Sequence, residues 1–517
     1  MLSFRLRGLR GVAYLFLHFI VLSYMGLVAL GRWQLDEYVE FYRMRTVDAR
    51  HYLLDRLTWS PRPISEVLFC SYGWMVNHFH HPLIIPLLSG LWVVFLAAGY
   101  LTYWLRRRHA SAEDSWPSLL VALTLMALFL AGGHTTEVFY WPAGAVAYIP
   151  TLAATLLLFL QVIEGRLDIP QGRLIASSCL IVAAGSSEAG AAFVVCYALI
   201  QFFQRVRKVV GRRDQPDLGS FLWYAIPAFV ASTVLLAVRL HRFRAPEVGG
   251  TAAVAGHPLA SILASFKEMV FEIIGRTMLS QTFHANPHPS QWLRSGLRLP
   301  LEMLAGSRLT MELLLPMGVA LCWSLRRPAR RLVLQILDLI AALLLTSFFT
   351  LVAANMHFGN SCCERHELLR ESWMTMVLTG VAIVLLGWID ENRRQWLSRH
   401  RSWSPLLLML AVISLGCLRP LLHTYRLYPW LEKGAEQNFD SGFRRDDEQM
   451  SFSVLPEEGI IREEPIPQGT YTRPPVITGF SYDVYPYYLL GFFDKRTVVI
   501  KPLNTAKETA SANDLPH

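Results

Sequence analysis

Long apolar runs alternate with short basic clusters along this chain, and that alternation restricts its folding more than any other feature. The clusters are Arg5/Arg7/Arg10, Arg106 to Arg108, Arg166/Arg173, Arg205 to Arg213, Arg326 to Arg331 and Arg393 to Arg401. Lys and Arg are retained on the cytoplasmic side of spanning helices, so the clusters thread the chain through a membrane and assign the remaining loops to the outside. The outward loops hold the acidic pair Asp36-Glu37, then Glu137, Glu188 and Glu364-Arg365-His366. A membrane protein that gathers acids, arginines and a histidine on one side is expected to have a site there.

Over 517 residues the chain is 53% hydrophobic and 17% charged. That composition excludes a single soluble domain and predicts a polytopic membrane protein. The net charge of +9 is concentrated in the short inward loops, so it reflects topology and contact with anionic membrane lipid, and no nucleic-acid partner is expected. The first apolar run follows a basic start and has no small-residue cleavage site before Gly31-Arg32-Trp33, so it reads as a retained span with a cytoplasmic N-terminus.

Windows long enough to cross the hydrocarbon core fall at 11–31, 83–105, 117–133, 144–163, 221–239, 309–325, 332–354 and 371–389. Residues 173–186 and 189–204 form a pair broken at Gly185-Ser186-Ser187-Glu188, and 405–418 is a short run. Counting the broken pair as two helices gives about eleven spans and keeps every basic cluster inside. The expected fold class is therefore an all-α polytopic membrane protein, with residues 1–419 as its transmembrane domain. Two external loops carry amphipathic surface helices, 32–82 and 240–305. Residues 420–502 read as a small extracytoplasmic α+β appendage in which PPVITGFSYDVYPYYLLGF and KRTVVIKP are strand-like, and 503–517 read as a disordered tail.

Asp36 and Glu37 open the first external loop. A carboxylate leaving the bilayer beside a like charge is pushed toward a general base's pKa, although Asp36 can equally serve as a helix cap. Adjacent helical residues point about 100° apart, so only one of the two acids can face a given substrate. Glu137 lies beside Phe139, Tyr140 and Trp141, an acid among rings that suits a sugar. Glu188 sits between two apolar runs, where an ionisable group serves either a cavity or a helix partner. Arg62, Arg276 and Arg365 are candidates for an anionic headgroup, with membrane anchoring as the alternative for each. The run His78-Phe79-His80-His81 near acids could bind a divalent ion but lacks the spacing of a helical metal site, so interfacial histidines are the expectation and no metal or cofactor is indicated. Of the seven cysteines, Cys70, Cys362 and Cys363 fall in outward loops, where either a disulfide from Cys70 to one of its neighbours or free thiols fit. No Walker loop, dinucleotide fingerprint or G-x-S-x-G element occurs.

The acidic pair after a first span, together with SPRPISE (Ser60–Glu66), TEVFYWPAGAVAYIP (Thr136–Pro150), GSSEAGA (Gly185–Ala191) and CCERHELL (Cys362–Leu369), resembles the GT-C superfamily of polytopic glycosyltransferases over residues 1 to 400. The resemblance implies a bacterial inner-membrane enzyme with an outward-facing active site. Such an enzyme moves a sugar from a polyprenyl-phosphate donor to a glycan or lipid acceptor. It also implies that Asp36 is the base, that Glu37 assists it, and that Glu137, Trp141 and Glu188 contact substrate. Arg365, flanked by His366, would take the phosphate, ahead of Arg62 and Arg276. This chain departs from the superfamily in carrying Asp-Glu where several families carry Asp-Asp. A transporter or flippase for a lipid-linked substrate is the alternative reading, since a broken helix pair with a membrane-depth acid also suits a pathway.

Overall fold

The computed structural model describes residues 2–108, 112–131, 135–212, 219–244, 262–263, 265–266, 330–358, 364–387, 404–444, 447–454, 460–461, 468–474 and 485–502. They are mostly helical, and seven of the helices are long and apolar enough to cross a membrane: Gly11–Leu30, Ile84–Arg107, Pro142–Ile163, Glu188–Arg207, Phe221–Val238, Arg331–Ala354 and Arg365–Leu385. The chain is thus a multi-pass membrane protein, with seven candidate spans among the described residues. The expected span at 309–325 lies outside those residues, as do most of the 240–305 loop, Arg276 and the 503–517 tail. The expected 117–133 span is the shorter apolar helix Ser118–Leu130, and 173–186 falls in a helix of 17 residues.

The chain divides into two compact units. The first comprises Met1–Leu22, Val93–Gly133 and Tyr148–Arg419, and the second Ser23–Trp92, His134–Ala147 and Pro420–His517. The helices along the chain are α1 (Leu2–Gly26), α2 (Leu35–Thr46), α3 (Ala49–Trp59), α4 (Pro63–Phe79), α5 (Ile84–Arg107), α6 (Ala112–Ala131) and α7 (Pro142–Ile163). They continue as α8 (Pro170–Ser186), α9 (Glu188–Arg212), α10 (Gly219–Arg244), α11 (Arg330–Phe358), α12 (Glu364–Gly387), α13 (Ser404–Phe443) and α14 (Tyr485–Phe493).

In the first unit, α9 packs against α8, α10 and α11, and α11 packs against α12. Ser187 alone separates α8 from α9. Its extended backbone (φ −150°, ψ 154°) breaks the helix where the sequence places a break. Phe229, Leu236, Leu199 and Phe203 remain exposed, as expected of side chains that face lipid.

The second unit gathers the first loop, a turn before α7, and the C-terminal segment. Trp33 is its hub, and its ring meets Tyr38, Phe41, Phe439 and Phe492 edge-on with centroids 5.1 to 5.4 Å apart. Edge-to-face pairs of this kind add to plain burial. Helices α2, α3 and α4 pack on one another, and α14 packs on α2. The sequence reading separates the 32–82 loop from the 420–502 appendage; the structure joins them through this aromatic core.

One further expectation is corrected in the C-terminal segment. Helix α13 continues through Pro420 and Pro429 to Phe443, and the division between the two units falls inside it, between Arg419 and Pro420, where the sequence reading places a boundary. YPYYLLGF is helical, not a strand: α14 is buried on nearly all sides, and a short run buried all round carries no period with which to distinguish the two structures. Asp494, with φ +55°, ends the helix in the left-handed region. The sheet has the order β1-β3-β2, where β1 is Gln449–Val454, β2 Gly469–Thr472 and β3 Thr497–Pro502. β3 runs parallel to β1 with Gln449 opposite Thr497 and antiparallel to β2 with Gly469 opposite Ile500, burying Val498 and Ile500.

Candidate functional site

The site begins where the first span ends. A 3-10 turn, Leu27–Leu30, closes on Gly31, whose N–H donates to the Val28 carbonyl at 3.0 Å. A Cβ at Gly31 would press on Leu88, Ile84 and the Tyr140 carbonyl oxygen, so glycine permits the close approach in which the Arg32 N–H reaches that same carbonyl at 2.9 Å. Gln34 is the N-cap of α2, which places Asp36 and Glu37 in the first turn, where the helix dipole favours negative charge.

The two acids have different surroundings. Glu37 is fully buried. Its Oε2 accepts from the Gln34 N–H at 2.9 Å and from the indole N–H of Trp141 at 2.7 Å, while Oε1 accepts from the Ala143 N–H at 2.8 Å. Burial pushes its carboxyl up to about 8; the Trp141 bond opposes the rise, Asp36 adds to it, and the Gln34 and Ala143 bonds oppose it. Asp36 is half-buried, and among the described residues its carboxylate has no hydrogen-bond or ion-pair partner. The helix cap is supplied by Glu37 and not by Asp36, as the reciprocal half of a capping box.

Trp141 follows a single π-helical turn, Thr136–Tyr140, which carries Glu137. Such turns recur at functional positions. A Cβ at Gly144 would overlap the Glu137 carbonyl oxygen, so the turn requires glycine there. Glu137 itself is half-buried. The rings around it do not form a sugar platform: Phe139, Tyr140 and Trp141 are all buried. Phe139 packs on Trp92 at 4.9 Å between centroids, and the Tyr140 hydroxyl donates to the Tyr24 carbonyl at 2.8 Å.

Arg62 belongs to a separate polar network under α2, α3 and α4. Glu66 accepts from Arg62 at 2.9 Å, Ser60 at 2.7 Å and Arg56 at 2.9 Å, and Glu40 accepts from Arg56 at 3.1 Å and Tyr52 at 2.6 Å. Arg62 therefore serves as a cross-brace between Ser60 and Glu66, and its charge is already compensated. Cys70 beside this network is a free buried thiol, pushed up to about 12 by burial first and then by Glu66. Cys362 and Cys363 lie outside the described residues.

In the first unit, Arg365 and His366 lie half-buried in the first turn of α12, and the Tyr148 hydroxyl sits 3.3 Å from His366 Nε2 with the two rings edge-on. Glu188 opens α9, next to Ser187, whose hydroxyl lies 2.9 Å from Thr151 and accepts from the Gly190 N–H at 2.9 Å. Sequence reasoning missed Arg370, buried one turn along α12. It also missed Asp338 in α11, whose oxygens accept from Gln201 at 3.1 Å and Gln204 at 3.2 Å. An acid inside an apolar run was the available signal for Asp338. Among the described residues no group of three or more His, Cys, Asp or Glu side chains is arranged to hold a metal ion. No family model, curated protein or solved structure matches this chain.

Proposed function

We propose that this chain is a membrane glycosyltransferase of the GT-C type, moving a sugar from a polyprenyl-phosphate carrier to an extracytoplasmic glycan or lipid acceptor with Asp36 as general base. One observation carries the reading: of two adjacent acids at the exit of the first span, Glu37 is held by three N–H donors while the Asp36 carboxylate is unengaged among the described residues. A base must reach the acceptor hydroxyl, and a carboxylate already saturated with donors cannot. Asp36 takes the hydroxyl proton as that oxygen attacks the anomeric carbon, and the carrier phosphate departs with the bonding electrons. Arg365 is the proposed phosphate ligand, since a guanidinium fork suits phosphate oxygens.

The test supplies membranes containing the full-length chain with radiolabelled polyprenyl-phosphate sugars and follows label into acceptor. Asp36→Asn removes the base with little change in shape and is expected to lower transfer about 100- to 10,000-fold at unchanged protein level. Arg365→Lys keeps the charge and loses the fork, so it retains part of the activity that Arg365→Ala loses. Transfer by Asp36→Asn at the wild-type rate would sink Asp36 as the base and pass that role to Glu37, while no transfer by the wild-type chain would return it to the alternative of a carrier for lipid-linked substrates.

A further inference from the structure

We infer that the first unit contains an anion site, built on Arg166 with Arg106 beside it, that takes a phosphate group at the membrane surface. The site is independent of the transferase reading. Arg166 lies in a 3-10 turn, Arg166–Asp168, between α7 and α8. It is 8% exposed, and its Nε and Nη2 are buried without a hydrogen-bond partner among the described residues. An unmatched buried donor is costly, and more so when it is charged.

Among the described residues the surroundings do not supply the missing acceptor. Glu164 commits one oxygen to Arg106 and the other to the Ser118 hydroxyl, which also accepts from Arg106 at 3.1 Å. Asp168 is engaged by Arg331 at 2.9 Å and by the Gln335 amide at 3.2 Å. Arg173 donates to the Leu167 carbonyl at 2.9 Å and brings further positive charge. Glu164 is thus taken up by Arg106 and Ser118, and the Arg166 Nε and Nη2 donors are left without an acceptor among the described residues, in a poorly solvated place. Burial pulls the Arg166 guanidinium down, and Arg106 adds to that pull against Glu164.

The depth of the cluster indicates where its anion comes from. Arg106 lies in the last turn of α5, and two residues earlier Trp104 stays exposed with the Arg108 guanidinium stacked 3.5 Å above its ring. An exposed tryptophan under an arginine at the end of an apolar helix marks the headgroup level of a bilayer. Basic pockets between helix ends at that level suit phospholipid phosphates, and an arginine fork matches two phosphate oxygens at once. Free phosphate carries the same chemistry, so the test separates the two sources.

Full-length protein is placed in nanodiscs of phosphatidylcholine alone, of phosphatidylcholine with phosphatidylglycerol, and of phosphatidylcholine with inorganic phosphate in the buffer. Thermal midpoint and lipid retained in native mass spectra are read for wild type, Arg166→Met and Arg166→Lys. Phosphatidylglycerol is expected to raise the wild-type midpoint by about 2 °C or more and to stay bound in the spectra. Arg166→Met should lose that response, and Arg166→Lys should show a smaller one because it lacks the fork. In phosphatidylcholine alone Arg166→Met should melt no lower than wild type, because an apolar chain replaces a buried guanidinium with two unpaired donors. A purely structural arginine would make that variant melt lower. An equal rise with inorganic phosphate supports the anion site with free phosphate as its ligand. No response of wild type to either anion overturns the inference, as does an Arg166→Met variant that melts several degrees lower and still responds to phosphatidylglycerol.

Discussion

Glu37 makes its stability contribution through a proton as well as through its bonds. Its carboxyl titrates near 8 when folded and near 4.5 when free, so between those values the folded chain holds a proton that the unfolded chain releases. Stability is therefore fully present below about 4.5 and declines as pH rises through about 8. Thermal melts from pH 5 to pH 9 should show this decline, and Glu37→Gln should flatten it. The amide cannot satisfy all three donors, since its NH2 faces either the Ala143 N–H or the pair formed by Gln34 and Trp141. That variant should lose about 1–3 kcal/mol at low pH. A Glu37→Gln melt that keeps the wild-type pH slope would remove Glu37 as its source. Sequence reasoning found both acids and Trp141 but not the bond between Glu37 and Trp141, which spans 104 positions. No periodicity reaches that far, and from the sequence Trp141 reads as a sugar platform because a ring beside an acid looks alike whether exposed or buried.

At the scale of elements, the legible features were those with a local cause. The Ser187 break follows from Gly185-Ser186-Ser187 between two apolar runs, and β3 follows from alternating Val498 and Ile500 against Thr497 and Val499. Helix α14 was illegible because burial on all sides erases the polar face that defines a helical period. Its Phe492 meets Trp33, Tyr38, Phe41 and Phe443, so Phe492→Ala should cost about 3–5 kcal/mol in a thermal or denaturant melt. A loss under 1 kcal/mol would mean that this core is not built as described. The π-turn gives a second element-scale test. Gly144→Ala must displace the Glu137 carbonyl, so it should lower the melting midpoint, whereas at Gly11, where an added Cβ meets nothing within 4 Å, Gly11→Ala should be neutral.

For the whole molecule, the basic clusters predict that residues near 110, 210, 328 and 396 face the cytoplasm while the 420–502 segment lies outside. Cysteine labelling from each side of sealed vesicles checks this, and a cytoplasmic sheet would invert the threading. The Trp33 core has a further consequence for biosynthesis. Arg45 in α2 donates to the Phe492 carbonyl across 447 positions, and Phe439 and Phe492 complete the ring cluster begun by Trp33. A ribosome delivers the first loop long before those partners exist, so the loop must wait half-assembled, with apolar rings uncovered, until nearly the entire chain has been made. Nascent chains halted before α14 should therefore be held by chaperones or degraded, and the last helix acts as a late checkpoint on the first loop.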